Sequence, residues 1–398
     1  MNSTPSSERI SIGFFGRTNA GKSSLMNAIT NQGVSLVSEI GGTTTDPVKK
    51  AMELLPLGPV LLIDTPGLED HSQLGDLREK RTREIMKQIQ IALIVVDINE
   101  GITKLEAELE QWLLAEKVPY LFVYNKTDCL KERVTETTKE NTIQVSALTK
   151  ENIDLLKEKI TALLPQKNEK RLVADILEEE DHVVLVIPID KAAPKGRLIL
   201  PQQQTIRDIL DAGCTLSICP VEKVKETLQI LQKRPKLVIT DSQVFGKVKQ
   251  LVPQDIMLTS FSILFARYKG SLDSAVKGAL KLEQLKDGDR ILISEGCTHH
   301  RQCGDIGTEK LPDWILNYTK KQLHFEFTSG GDFPRELSEY QLIIHCGACM
   351  LNEKQMEDRR RTALENDVCM TNYGIVIAYM NGILERSVEP FGKLEDFL

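Results

Sequence analysis

The chain has 398 residues, enough for about two to four domains with cores of their own. Its 27% charged and 41% hydrophobic residues are the make-up of a soluble globular protein, and a formal net charge of −7 argues against bulk nucleic-acid binding. Eight cysteines are too few for a disulfide scaffold, and their grouping toward the C-terminal end favours ligands over crosslinks in a reducing compartment. The opening residues lack an apolar signal core, and no apolar run of roughly 18 residues follows. The expectation is a cytoplasmic protein without a membrane span.

The pattern along the chain predicts α/β structure throughout. ISIGFFG (10–16) reads as a strand and Lys22–Ile29 as the helix behind it. PVLLIDTPG (59–67), IALIVVDIN (91–99) and YLFVYNKTD (120–128) predict strands that end in polar loops. Near-continuous apolar strands separated by helical stretches imply a mostly parallel sheet covered on both faces. A helix over Asn152–Leu163 closes this first domain, 1–165, and PQKNEK (165–170) reads as a linker.

A second domain is expected over 171–265. HVVLVIPID (182–190), GRLILP (196–201), a run into Cys219-Pro220 and KLVITD (236–241) predict strands. Gln202–Leu210 and Glu222–Gln232 predict helices, and DIMLTSFSILF (255–265) reads as strand or apolar helix. Apolar strands with no visible ligand loop favour an interface, hence a homodimer. In a third domain, 266–398, Ser271–Leu285 and Lys354–Asn366 predict helices. Segments 287–296, Leu323–Thr328, Gln341–His345 and Tyr373–Tyr379 predict strands.

Gly16-Arg17-Thr18-Asn19-Ala20-Gly21-Lys22-Ser23 has the GxxxxGKS spacing between a strand and a helix. Backbone N–H groups from Asn19 through Ala20, Gly21 and Lys22 to Ser23, with Ser24 beside them, suit a β-phosphate. Lys22 suits the β- and γ-phosphates, and the Ser23 hydroxyl suits Mg²⁺. Asp64-Thr65-Pro66-Gly67 follows a strand, so Asp64 can hold Mg²⁺ through water and the Gly67 N–H can sense the γ-phosphate. Gly42–Pro47 lies between these elements as a switch segment in which Thr44 is a candidate Mg²⁺ ligand. Catalysis is thus assigned to Lys22, Thr44 and Gly67. Asn125-Lys126-Thr127-Asp128 and Ser146-Ala147-Leu148 follow further strands. The Asp128 carboxylate can accept guanine N1–H and the exocyclic amine, which adenine does not offer. The four ordered elements predict a GTP site.

This segment resembles the Era/TrmE branch of translation-factor-like GTPases. The resemblance implies that Thr44 is the magnesium ligand and that Asn19 recruits a potassium ion beside the phosphates. Leu68 stands where a water-positioning glutamine is usual, so slow intrinsic turnover is expected, with Glu69 and Asp70 as weak candidates for positioning water.

Cys346-Gly347-Ala348-Cys349 is a CxxC preceded by His345, and Cys297-Thr298-His299 adds a second potential pair, ending 47 residues before Cys346. Both groups follow expected strands. Thiolates suit zinc or iron–sulfur clusters, and the residues alone leave both open. Buried cysteines also serve as small hydrophobes, the favoured reading for Cys129, Cys214, Cys219 and Cys369.

The layout of CTH at 297–299, HCGAC at 345–349 and the middle segment IPIDKAAPKGRLILPQQQTIRDILD (187–211) resembles the HydF family of [FeFe]-hydrogenase maturation GTPases along essentially the whole chain. The resemblance implies a GTPase domain, a dimerisation domain and a cluster domain. It implies a [4Fe–4S] cluster on Cys297, Cys346 and Cys349 with one exchangeable iron. His299, His345, Cys303, Asp305, water or an exogenous group is then the fourth ligand. It further implies a transient diiron subcluster precursor, made with HydE-like and HydG-like radical-SAM maturases and delivered to apo-[FeFe]-hydrogenase. The rival reading is a GTPase of RNA modification or ribosome assembly with a structural zinc domain.

Overall fold

The computed structural model describes residues 5, 7–30, 38–40, 48–65, 85–130, 141–164, 170–189, 198–296 and 305–398. They belong to two compact units, 1–168 and 169–398.

The first unit is built on a seven-stranded sheet. Its elements are β1 (Ile10–Phe15), α1 (Lys22–Thr30), β2 (Ser38–Ile40), β3 (Val48–Leu54), β4 (Gly58–Asp64), β5 (Ile91–Asp97), α2 (Lys104–Ala115), β6 (Tyr120–Asn125), β7 (Thr142–Gln144) and α3 (Ile153–Ala162). The strand order is β2-β3-β4-β1-β5-β6-β7. The β2–β3 and β3–β4 pairs are antiparallel, and every other neighbouring pair is parallel. A parallel sheet needs cover on both faces, which explains why all seven residues of β5 are buried. One face packs Leu25, Met26 and Ile29 of α1 with Ile153, Leu156 and Ile160 of α3. The other packs Ile85, Met86 and the α2 residues Leu109 and Leu113. The start of α2 is held by Glu106, whose carboxylate accepts the Thr103 N–H at 2.9 Å.

The second unit contains two four-stranded parallel sheets. Its first half is β8 (His182–Val186), α4 (Leu200–Asp211), β9 (Thr215–Cys219), α5 (Val224–Ile230), β10 (Leu237–Thr240), α6 (Phe245–Leu251), β11 (Met257–Ser260) and α7 (Phe261–Tyr268). Then follow α8 (Leu272–Ala279), β12 (Arg290–Ser294), α9 (Leu311–Thr319), β13 (His324–Thr328), β14 (Leu342–His345), α10 (Glu353–Glu365), β15 (Cys369–Asn372), α11 (Tyr373–Met380) and α12 (Leu384–Val388). The sheet orders are β11-β10-β8-β9 and β13-β12-β14-β15. Helices from the second half complete the core of the first sheet. Val184, Val238 and Leu258 of the first pack with Ala275 and Val276 of α8, Ile375 and Ala378 of α11, and Val388 of α12.

Two expected strands take another form. Tyr373–Tyr379 lies in helix α11, not a strand. The stretch YGIVIAYM is apolar all round, so periodicity cannot separate a buried helix from a buried strand. Asn372 decides it: its side-chain oxygen accepts the Ile375 N–H at 2.8 Å and caps a helix. Within GRLILP, Leu200 and Pro201 open helix α4 instead of ending a strand. Proline suits the first helical turn, and the Gln202 side chain reaches back to accept the Ile199 N–H at 3.1 Å. Among the described residues no helix is long and apolar enough to cross a membrane.

Candidate functional site

The loop between β1 and α1 is shaped by backbone that only small residues permit. Gly16 has φ +136, and a Cβ there would lie 2.2 Å from the Val95 carbonyl oxygen. Gly21 has φ +90, and its Cβ would lie 2.3 Å from Asn125 Nδ2. Exposed Asn19 adopts φ 64, a left-handed conformation that asparagine tolerates. Ala20 is buried in the loop. Lys22 is 7% exposed and folds back over it, Nζ donating to Gly16 O at 2.9 Å and Arg17 O at 2.8 Å. Ser23 and Ser24 open the helix on its exposed side. Arg17 is drawn away from the loop mouth by Glu106 at 3.2 Å and Glu100 at 3.0 Å.

Thr65 carries β4 past the loop, its N–H and hydroxyl both donating to Phe14 O, at 3.2 and 2.6 Å. That contact sets Asp64 beside Ser23, whose hydroxyl donates to Asp64 Oδ2. Asp64 Oδ1 is buried without a hydrogen-bond partner among the described residues. Burial raises the Asp64 carboxyl above its usual range, while the Ser23 hydroxyl and the Lys22 charge oppose the rise. A hydroxyl beside a carboxylate with an unused lone pair is a hard-oxygen donor set that fits Mg²⁺ or its water shell. Thr44 and Gly67, the other residues expected there, lie outside the described residues, as do Leu68, Glu69 and Asp70.

Asn125, 2% exposed, acts as a brace. Its Nδ2 donates to Ala20 O at 3.1 Å and its Oδ1 accepts the Ala147 N–H at 3.0 Å, tying the phosphate loop to the 146–148 turn. Asp128 lies three residues on, and its carboxylate receives the Ser146 hydroxyl. That bond holds the Asp128 carboxyl below its usual range. The Ser146 oxygen also accepts the Thr149 N–H at 3.0 Å. Lys126 has φ 70, and its Nζ meets Asp97 Oδ2 at 2.7 Å. Asp97 escaped the sequence reading, because an Asp ending an apolar strand carries no distinctive spacing.

In the second unit, β12 and β14 run parallel with Ser294 opposite His345, so both chains leave the sheet at the same edge. The Cys346 N–H donates to Ser294 O at 2.9 Å. Cys346 Sγ accepts N–H groups from Gly296 at 3.1 Å and Ala348 at 3.4 Å. Gly296 immediately precedes Cys297. Backbone N–H groups donated to a cysteine sulfur are bonds of the kind that suit a cluster sulfur. Ala348 takes φ 54 to turn the loop, and Cys349 is half-buried at its end. His345 is 1% exposed, with Nδ1 2.9 Å from Cys346 O and Nε2 2.7 Å from Arg359 Nη1. Burial and then the Arg359 charge push the imidazole down to about 3, so it is neutral. Asp305 accepts the N–H and hydroxyl of Thr308, each at 2.9 Å.

Cys297, His299, His300 and Cys303 lie outside the described residues. Among the described residues no group of three His, Cys, Asp or Glu side chains is gathered to hold a metal. Cys214 and Cys219 are buried and burial raises their thiols, in keeping with a packing role, whereas Cys129 and Cys369 are exposed. The sequence reading also missed Arg359, which lies in a helix of mixed charge.

The fold and the phosphate loop define the first unit as a P-loop GTPase domain, followed here by two parallel α/β sheets. Residues 11–126 match the model of the 50S ribosome-binding GTPases. Residues 172–270 match the hydrogen maturase F dimerization domain, and residues 273–390 the hydrogen maturase F tetramerization domain. The two hydrogen maturase F models together cover more than half of the chain, which belongs to the hydrogen maturase F family.

Curated relatives match about two fifths of the chain. The tRNA modification GTPase MnmE of Nitrosomonas europaea is 36% identical over 153 residues, 38% of this chain and 34% of that protein. GTPase Era of a Thermoanaerobacter species is 29% identical over 191 residues, 42% of this chain and 63% of that protein. The chain thus spans about a third of the length of the MnmE relatives it matches. Among solved structures, Aquifex aeolicus Era bound to GDP and AlF4⁻ is 17% identical, covering 61% of this chain and 97% of its own, with a TM-score of 0.34 too low to carry an argument.

Proposed function

We propose that the chain hydrolyses GTP and carries a [4Fe–4S] cluster on Cys297, Cys346 and Cys349, acting as a scaffold for the diiron precursor of the [FeFe]-hydrogenase active site. HydE-like and HydG-like maturases supply that precursor, and apo-hydrogenase receives it. The observation that carries the reading is the approach of Gly296 N–H to Cys346 Sγ, 3.1 Å, because it brings the chain entering Cys297 against the CxxC loop. Cys297, Cys346 and Cys349 would hold the cluster, and when bound it would supply one iron without a cysteine ligand as an exchangeable attachment point. His299, Cys303, Asp305, water or an exogenous group competes for that iron, because both ring nitrogens of His345 are already engaged.

In the GTPase domain Lys22 binds the β- and γ-phosphates once it exchanges its carbonyl partners for them. Ser23, Asp64 and Thr44 hold Mg²⁺, which neutralises phosphate charge. Gly67 senses the γ-phosphate, Asp128 reads guanine, and Asn19 holds K⁺. Hydrolysis biases binding or release of the cargo by reordering residues 38–47 and 65–75. The domains are 1–165 for GTP, 171–265 for dimerisation and 266–398 for the cluster. The match of 273–390 to a tetramerization model adds a second mode of self-association to the expected homodimer. β9 and β13 lie at sheet edges with Ile218 47% and Phe327 38% exposed, surfaces suited to pairing with further copies.

The test is anaerobic reconstitution of wild type and Cys297→Ser, read by iron and sulfide analysis and EPR of the reduced protein. About four iron and four sulfide per chain, with a signal disturbed by the substitution, supports the scaffold. Tightly held zinc without a competent cluster refutes it.

A further inference from the structure

Arg359, on α10, is 5% exposed. A guanidinium keeps its proton in a protein, so its burial demands both hydrogen bonds and a counter-charge. The hydrogen bonds are present. Nη1 donates to His345 Nε2 at 2.7 Å and Ser294 Oγ at 3.2 Å, and Nη2 donates to Gly330 O. The guanidinium carbon also lies 5.0 Å from the centroid of the Phe333 ring. Among the described residues no carboxylate reaches ion-pair distance of Arg359. The adjacent Asp358 pairs with Arg361 at 3.0 Å, and segment 297–304 contains no Asp or Glu.

Arginine only donates, so its bond to Nε2 assigns the imidazole tautomer. Nε2 accepts, and Nδ1 carries the proton and donates to Cys346 O at 2.9 Å. A relay therefore runs from the guanidinium through His345 to the backbone of the cysteine loop. Both ring nitrogens are engaged in it. Ser294, which shares the Arg359 Nη1, is also the residue whose carbonyl accepts the Cys346 N–H.

We propose that Arg359 is a positioning residue and buried counter-ion for the cysteine loop: through His345 it clamps the Cys346 carbonyl, and its charge balances the Cys346 thiolate and the cluster held there. His345 is a link in this clamp and not an iron ligand. The inference rests on the cluster reading above. A fixed positive charge favours the more negative, reduced cluster, so its removal lowers the reduction potential.

The experiment uses the full chain, reconstituted anaerobically as wild type, Arg359→Gln and Arg359→Lys. It reads iron content, the midpoint potential by EPR-monitored titration, and the rate of iron loss to a ferrous chelator. Arg359→Gln is expected to make reduction about tenfold less favourable, about 59 mV for a one-electron couple. Arg359→Lys retains charge but loses the fork, so it should keep the potential and release iron severalfold faster. A wild-type potential and wild-type iron loss in Arg359→Gln overturn the proposal. If that variant does not fold, wild-type iron loss in Arg359→Lys overturns the clamp. In either case wild-type protein that binds no cluster defeats the scaffold reading itself, a different result from a cluster indifferent to residue 359.

Discussion

Gly21→Ala tests how the phosphate loop is braced. Gly21 has φ +90, and the new methyl would lie 2.3 Å from Asn125 Nδ2 and 3.6 Å from its Cγ. An L-residue at positive φ costs about 1–2 kcal/mol. Displacing the Asn125 amide also breaks its bonds to Ala20 O and the Ala147 N–H, at 3.1 and 3.0 Å. At about 1 kcal/mol for each bond, the total is about 3–4 kcal/mol. If it falls on the nucleotide-competent loop, GDP affinity drops by about a hundredfold or more. Asn125→Ala alone loses the two bonds, about 2 kcal/mol, but makes room for the methyl. The double variant should therefore be milder than the sum of the single ones by about 2 kcal/mol. A fluorescent-GDP titration of the four proteins gives the cycle. Additivity within about 0.5 kcal/mol, or a Gly21→Ala protein binding GDP as the wild type does, refutes the brace.

Three further predictions concern other parts of the chain. Burial would raise the Asp97 carboxyl, but hydrogen bonds from Lys126 and Asn99 outweigh it and hold the group below its usual range. Its stabilisation is therefore fully present above about pH 4 and is lost as pH falls through the folded value. Thermal melts of wild type and Asp97→Asn should differ at neutral pH and converge in acid; a gap independent of pH contradicts this. Gly278→Ala on α8 would set a methyl 2.4 Å from the Met370 carbonyl oxygen of β15. Urea unfolding should show a loss of about 1–3 kcal/mol, and unchanged stability would show that α8 can slide. Asn372→Ala removes the cap of α11 and the bond from Asn372 Nδ2 to Ser262 O at 3.2 Å. The expected loss is about 1 kcal/mol or more, measured the same way, and a neutral result would remove the cap as the reason this segment is helical.

The nucleotide pocket was legible because its chemistry is local in the chain. Gly16, Gly21, Lys22 and Ser23 form one turn, whose spacing alone aims N–H groups at a phosphate. Asp64, Asn125 and Ser146 each end or follow an apolar strand, and parallel strands bring such ends to one edge. Cys346 and Cys349 stand out in the sequence for the same reason, since they share one loop. The division of labour within the pocket was not readable. Asn125 and Asp128 belong to the same four-residue motif, yet Asn125 braces Ala20 and Ala147 while Asp128 faces outward beside Ser146.

What the sequence determined by itself was the order of α/β elements, the phosphate loop and the residue types suited to metal. Each follows from contacts among residues near in the chain or from burial periodicity. The tertiary structure decided what depends on distant partners. Tyr373–Met380 is a helix because Asn372 caps it and the core closes around every side. Arg359 belongs to the cysteine site because α10 packs its guanidinium under β14, 14 residues from His345 and 65 from Ser294 in the chain. A buried charge takes its meaning from whatever surrounds it, and no spacing rule carries that information.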